Sequence, residues 1–199
     1  MEKQIIIAVG REYGSGGHLI ADMLAERFGI PLYDHNILTD AAKDRGFETG
    51  HYERYDEVPK GLFTSRTVRG YSNSPEVNTA NMQFDYMRKL AAEGKSFVIV
   101  GRCAEEVLKE CRCMVSVFIL GDMDKKVERI KGLHGVSDEE ARAEITHYDK
   151  RRKSYHNYYC KGKWGDSRNY ELSINSSKLG VDGTVDVIEG YVRERMKSF

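Results

Sequence analysis

The segment Gly10-Arg11-Glu12-Tyr13-Gly14-Ser15-Gly16-Gly17-His18 combines glycines with polar residues in a pattern able to bind an oxyanion. It lies between the most strand-like run of the chain, Ile5-Ile6-Ile7-Ala8-Val9, and a stretch with Ile20, Met23, Leu24 and Phe28 at helical spacing. Glycines let the backbone adopt positive φ and turn its N–H groups inward around a phosphate. The helix that follows adds its positive end. A tight strand-to-helix turn without a ligand is the other reading of the same glycines. Against the pattern G-x-x-x-x-G-K-[ST], Gly16 takes the second glycine, Arg11 the first, Gly17 the lysine and His18 the hydroxyl. The phosphate-binding lysine and the magnesium-binding hydroxyl are therefore absent, with Ser15 one register away. Arg11, Tyr13, Gly14, Ser15, Gly16, Gly17 and His18 are the candidate phosphate-binding residues. A neutral histidine can donate to a phosphate but is a poor magnesium ligand.

A phosphate loop without lysine must draw positive charge from elsewhere. Phosphoryl transfer rests on charge neutralisation, exclusion of water and in-line placement, with little covalent help from the protein. The stretch 146–168 holds seven Lys/Arg against two acids. On a helix, Asp149 and Arg152 would share a face three residues apart. Arg151, Arg152 or Arg129 could supply the missing charge, and arginine suits planar, bidentate phosphate contact. A solvated basic helix is the plain alternative. Arg102 follows one predicted strand and Asp34 ends another, both at the edge where ligands collect in parallel sheets. Arg102 could equally form a surface salt bridge, and Asp34 could cap the helix behind it.

Short apolar runs alternate with amphipathic stretches to position these residues. Strands are expected at Ile5–Val9, Pro31–Tyr33, Phe97–Val100, Met114–Leu120 and Tyr170–Ile174. Helices are expected at about 35–45, from Pro75 to Gly94, at Glu105–Glu110, over Asp122–Leu133 and across the last stripe, Val185, Ile188, Val192 and Met196. Ser137-x-x-Glu140 has the form of a capping box that opens a long helix to about Tyr159. On it Tyr148, Tyr155 and Tyr159 read as packing residues first and a base-stacking surface second. Trp164 is expected to anchor the loop before the fifth strand. Five strands separated by helices imply an α/β sandwich around a parallel sheet. Residues 46–75 resist such a reading and are expected to form an insertion that shapes the acceptor pocket.

With 199 residues the chain is sized for one domain, or one domain with a mobile lid. Its formal charge of +0 offers no global field toward nucleic acid or an anionic membrane, so anion binding must be local. The apolar run after Met1-Glu2-Lys3-Gln4 is too short for a signal peptide, and a cytoplasmic location is expected. Cysteines 103, 111, 113 and 160 lack metal-type spacing and read as reduced packing residues.

Arg11-Glu12-Tyr13-Gly14-Ser15-Gly16-Gly17, Ile30-Pro31-Leu32-Tyr33-Asp34 and Val100-Gly101-Arg102-Cys103 together resemble the cytidylate-kinase-like family. So do Asp149-Lys150-Arg151-Arg152, Lys163-Trp164-Gly165-Asp166 and Ile174-Asn175-Ser176-Ser177, in order along nearly the whole chain. The resemblance implies a three-layer α/β/α P-loop kinase fold, with a five-stranded parallel sheet in order 2-3-1-4-5 and a helical lid at 137–168. It implies ATP with Mg2+ held mainly by phosphates and water, nucleotide substrates, and transfer of the γ-phosphoryl group to CMP or dCMP. Arg102, Arg151, Arg152 and Asp34 would be catalytic, and Asp34, Arg102, Asp149 and Arg152 would bind the acceptor. Arg129 would join the phosphate-binding set. Cys103 stands where cytidylate kinases carry Asp in Gly-Arg-Asp. A nucleotide sensor without transfer chemistry, or a kinase for another small metabolite, remains open on the same residues.

Overall fold

A computed structural model of the protein describes residues 3–45, 67–68, 71–72 and 74–199. In chain order the elements are β1 (Ile6–Arg11), α1 (Gly17–Phe28), β2 (Leu32–Tyr33), α2 (Asn36–Asp44), β3 (Thr67–Val68) and β4 (Tyr71–Ser72). Then come α3 (Pro75–Ala92), β5 (Phe97–Val100), α4 (Ala104–Val107), β6 (Met114–Leu120), α5 (Met123–His134), α6 (Asp138–Tyr159), β7 (Leu172–Asn175) and α7 (Ser176–Met196). The segment 46–75, expected to shape an acceptor pocket, lies largely outside the described residues.

Every residue of β1 is buried, as a run of β-branched side chains covered on both faces requires. β1 pairs in parallel with β5 on one side (Ile6 opposite Phe97) and with β6 on the other (Ile6 opposite Met114). β2 extends the sheet beyond β5 and β7 beyond β6, giving the order β2-β5-β1-β6-β7. Counted as five sheet strands this is 2-3-1-4-5, the order implied by the family resemblance. β3 and β4 form a separate two-residue antiparallel pair that the sequence pattern did not reveal.

The period-2 alternation of the strands divides the core into two layers. Ile6, Ala8, Phe97 and Ile99 face Ile37, Phe84, Met87 and Leu90 of α2 and α3, with Tyr155 from the end of α6. Ile7, Val9, Val98, Val100, Val115 and Val117 face Ile20 and Leu24 of α1 and Val185, Ile188 and Val192 of α7. The capping box forms: the Ser137 side chain accepts from the Glu140 N–H, and Glu140 accepts from the Ser137 N–H at 2.8 Å. Among the described residues no helix is long and apolar enough to cross a membrane.

Two boundaries move for identifiable reasons. β7 begins at Leu172 rather than Tyr170, because Asp166 caps a short 3-10 turn at Ser167–Asn169. The Tyr170 ring packs instead on Phe118, 4.9 Å between centroids. α4 is shorter than expected and starts directly after Cys103, whose backbone is left-handed at φ 55°.

Ile7 has no exposed surface, so Ile7→Ala should lower the unfolding free energy by about 2–5 kcal/mol. Ser137→Ala, which removes only the cap, should cost about 1 kcal/mol. Urea unfolding of the two variants checks both the sizes and their order.

Candidate functional site

The β1–α1 turn makes a cradle. Gly14 and Gly16 sit at φ 77° and 81°, and Gly16 is the N-cap of α1. These angles are costly for any residue with a Cβ. Space is equally decisive. A Cβ on Gly16 would lie 1.6 Å from Nη1 of Arg129, so that guanidinium rests on the cradle itself. Arg129 Nη1 is buried and has no hydrogen-bond partner among the described residues. A Cβ on Gly17, the lysine position of the pattern, would lie 2.5 Å from Cβ of Arg11 and 3.0 Å from its Cγ. The buried Arg11 stem therefore fills the room a lysine at 17 would need.

Side chains from α5 and α6 clasp the same turn. Lys126, only 4% exposed, lies 3.0 Å from Glu12 Oε2 and 3.0 Å from Asp149 Oδ2. The other Asp149 oxygen accepts from the Tyr13 N–H at 2.6 Å. Tyr13 donates its hydroxyl to Glu144 at 2.6 Å, stacks on Tyr148 at 4.5 Å, and carries the Arg152 guanidinium 5.4 Å above its ring. Burial, reinforced by Glu144, pushes the Tyr13 phenol well above its usual pKa. From the far side, the Ser176 hydroxyl donates to the Ser15 carbonyl at 2.6 Å. The motif Ile174-Asn175-Ser176-Ser177 thus braces the loop, with Asn175 capping α7 through the Ser177 N–H.

Opposite the cradle, Asp34 joins Arg102 and His18. Its Oδ1 accepts from Arg102 Nη1 at 2.5 Å, and its Oδ2 lies 2.9 Å from Nδ1 of His18. The carboxylate does not cap α2, whose N-cap residue is His35, with its ring nitrogen 3.1 Å from Arg102 Nη2 and making no cap hydrogen bond. Arg102 is no surface salt bridge: it is 1% exposed, and its Nη1 also donates to the Val100 carbonyl. Gly101, Arg102 and Cys103 are all left-handed (φ 75°, 53° and 55°). Two consecutive non-glycine residues in that region cost roughly 1–3 kcal/mol each, a strain characteristic of ligand sites.

A cleft of ≈ 740 Å³ brings most of the expected residues together: Arg11, Tyr13, Gly14, Gly16, Gly17, His18, Asp34, Arg129 and Arg152. A second cleft of ≈ 610 Å³ carries Ser15 and shares Gly14 and Arg129 with the first. Arg102 borders a smaller cavity beside Arg11 and Arg152. Arg151 lines none of these, and Asp149 is occupied by Lys126 and the Tyr13 amide. Sequence reasoning missed Lys126, Glu12, His35 and the bracing hydroxyl of Ser176. Nothing in their local spacing announces them, since Glu12 and Lys126 are 114 positions apart. Tyr155 is the buried packing residue expected, Tyr148 instead stacks on the loop, and Trp164 meets Phe118 edge to face at 5.4 Å.

The family model described as "Cytidylate kinase-like family" matches residues 6–178. The chain belongs to that family. It is 26% identical over 192 residues to the cytidylate kinase of Thermococcus sibiricus, covering 96% of this chain and 89% of that one. A solved structure of an uncharacterized protein from Eubacterium ventriosum shares 42% identity at TM-score 0.77, covering 96% of this chain and 99% of that one. Shikimate kinase from Bacteroides thetaiotaomicron shares the fold at TM-score 0.55 and 12% identity, over 95% of this chain and 98% of that one. Family and fold together make this member of the cytidylate-kinase-like family a P-loop phosphotransferase of the nucleoside-monophosphate-kinase type.

The residues fit a phosphate chain: a left-handed glycine turn at a helix N-terminus, a guanidinium nitrogen against it with no partner among the described residues, and further arginines on the same wall. They fit Mg2+ less directly. Among the described residues the cleft offers it only the carboxylates of Glu12 and Asp34, both already paired, so an ion bound there would take most of its ligands from phosphate oxygens and water.

Gly16→Ala should displace Arg129 and strain the turn together. Calorimetry with tripolyphosphate should show binding lost by at least about tenfold, while Gly29→Ala, a left-handed helix end outside the cleft, should leave binding intact.

Proposed function

We propose that the protein transfers the γ-phosphoryl group of ATP to a pyrimidine nucleoside monophosphate, CMP or dCMP. The observation that carries the reading is the Arg129 guanidinium seated on the Gly16 turn, where a lysine of the usual pattern would deliver its charge. The amides of Gly14–Gly17 would hold the donor phosphates, with Arg11 and Arg129 as counter-charges. The two clefts meet at Gly14 and Arg129, which suits a donor in one and an acceptor in the other. Asp34, held between Arg102 and His18, would orient the acceptor, and Arg102 would face its phosphate. Arg152 would neutralise charge that spreads over the transferred group. The α5–α6 region, including the segment 137–168, would act as the lid, tied to the loop through Tyr13 and Lys126. Relatives described as cytidylate kinases, including that of Pyrococcus abyssi at 25% identity over 190 residues, support the choice of acceptor.

The absence of a hydroxyl at position 18, which His18 occupies, favours one competing reading, nucleotide binding without transfer. A coupled assay of ADP release over CMP, dCMP, UMP, AMP and GMP separates the two. Transfer should be fastest with CMP or dCMP, and Arg129→Ala should lower kcat by about 10²–10³-fold, the loss typical of removing one preorganised charge donor. Arg129→Lys should recover part of it. Tight ATP binding with no ADP release above the Gly16→Ala background, whatever the acceptor, would establish the sensor instead.

A further inference from the structure

Four side chains that the phosphate chemistry leaves unused converge behind Arg102. His156 and Cys160 stand four residues apart at the end of α6, and Cys103 and Glu105 flank the start of α4. The potential ligand atoms of Glu105, His156 and Cys160 all lie within 4.8 Å of one another. The Cys103 thiol hydrogen-bonds to the Cys160 sulfur, so a fourth donor stands beside this group, though outside its spacing. Glu105 Oε1 and His156 Nε2 are 2.5 Å apart, with both side chains 7% exposed. The other ring nitrogen, Nδ1, is buried without a hydrogen-bond partner of good geometry, although the Cys160 sulfur is close. A cavity of ≈ 20 Å³ touches Cys103, Glu105 and His156, room for one water-sized particle.

We propose that Cys103, Cys160, His156 and Glu105 form a binding site for a divalent metal ion of zinc type. Two thiolates, an imidazole and a carboxylate are the donors that a tetrahedral zinc site selects, with bonds of about 2.0–2.3 Å. Glu105 and His156 stand closer together, and Cys103 farther off, than such a tetrahedron requires, and the donors come from two elements, so binding parts the Glu105–His156 pair and draws the end of α6 onto the β5–α4 turn. Both thiols must lose their protons, as must the proton shared by His156 and Glu105, and these leave to solvent. The occupied site then carries one net negative charge, which Arg11, Arg102 and Arg152 on the same cavity wall offset. Cys103 adjoins Arg102, and His156 lies one turn beyond Arg152, so the ion would fix both arginines relative to each other. That role is independent of which acceptor the protein phosphorylates.

Cobalt(II) is the probe. Reduced, chelator-treated full-length protein should take up one equivalent, with the near-ultraviolet thiolate-to-cobalt band and the intense visible bands of a tetrahedral centre. Zinc(II) should displace it, and bound metal should protect two thiols from alkylation. The bands should vanish in Cys160→Ser and His156→Asn and persist in Cys111→Ser. The wild-type titration decides even if a variant fails to fold: no thiolate band, or no protected thiols, overturns the site. Bands that survive in folded Cys160→Ser place the metal elsewhere and also overturn it. So does a Cys103–Cys160 disulfide forming in air in protein that takes up no cobalt.

Discussion

The ammonium of Lys126, buried between the carboxylates of Glu12 and Asp149, is the contact on which the site geometry depends. Removing a charge from water costs several kcal/mol, recovered only where good geometry and further hydrogen bonds satisfy both partners. Here they do: Glu12 also accepts from the Gly121 amide, and Asp149 from the Tyr13 amide. One ion cluster thereby joins the phosphate loop, the start of α5 and the middle of α6. Losing both acids would leave the buried Lys126 ammonium uncompensated, and losing Lys126 would set two half-buried carboxylates side by side, so the three elements hold their relation as a unit.

That unit explains how a loop without lysine keeps charge at its centre. The side chain expected at position 17 has been exchanged for the Arg11 stem, which comes from the strand side and closes the space. Arg129 comes from one turn beyond Lys126 on the same helix, so the clasp that seats Lys126 also carries the Arg129 guanidinium onto Gly16. Glycine at 16 is therefore needed twice, once for its φ and once for the volume of its neighbour. The cation against Gly16 comes from a helix packed on the loop and not from the loop itself, while the left-handed glycine turn is kept.

At the other wall, the sheet sets Arg102 at the carboxyl end of β5, directly beside the carboxyl end of β1, where parallel-sheet ligands gather. Its left-handed backbone turns the side chain under the site instead of out to solvent, and Asp34 from the neighbouring β2 meets it there. The same turn carries Cys103 and Glu105 toward the end of α6. The Arg102–Asp34 pair and the thiol–imidazole cluster are thus two consequences of one strained three-residue turn.

Strand period, helix stripes, the glycine-rich turn and the Ser137 capping box are local properties, and the sequence alone determined the five sheet strands and the kind of the helices around them, though not the β3–β4 pair. Order in the sheet came from resemblance across motifs and is the order observed. Candidate phosphate residues were legible because glycine spacing constrains a turn wherever it folds. Partners were not. Lys126 with Glu12, Arg129 with Gly16 and Cys160 with Cys103 are joined only by packing, since burial and charge neutralisation act through space and leave no periodicity along the chain. For that reason Asp149 looked like an acceptor ligand and is seen holding the loop, and cysteines without metal spacing meet at one point. Local sterics write the elements into the sequence. The choice of which charge neutralises which is made when the layers close and water leaves.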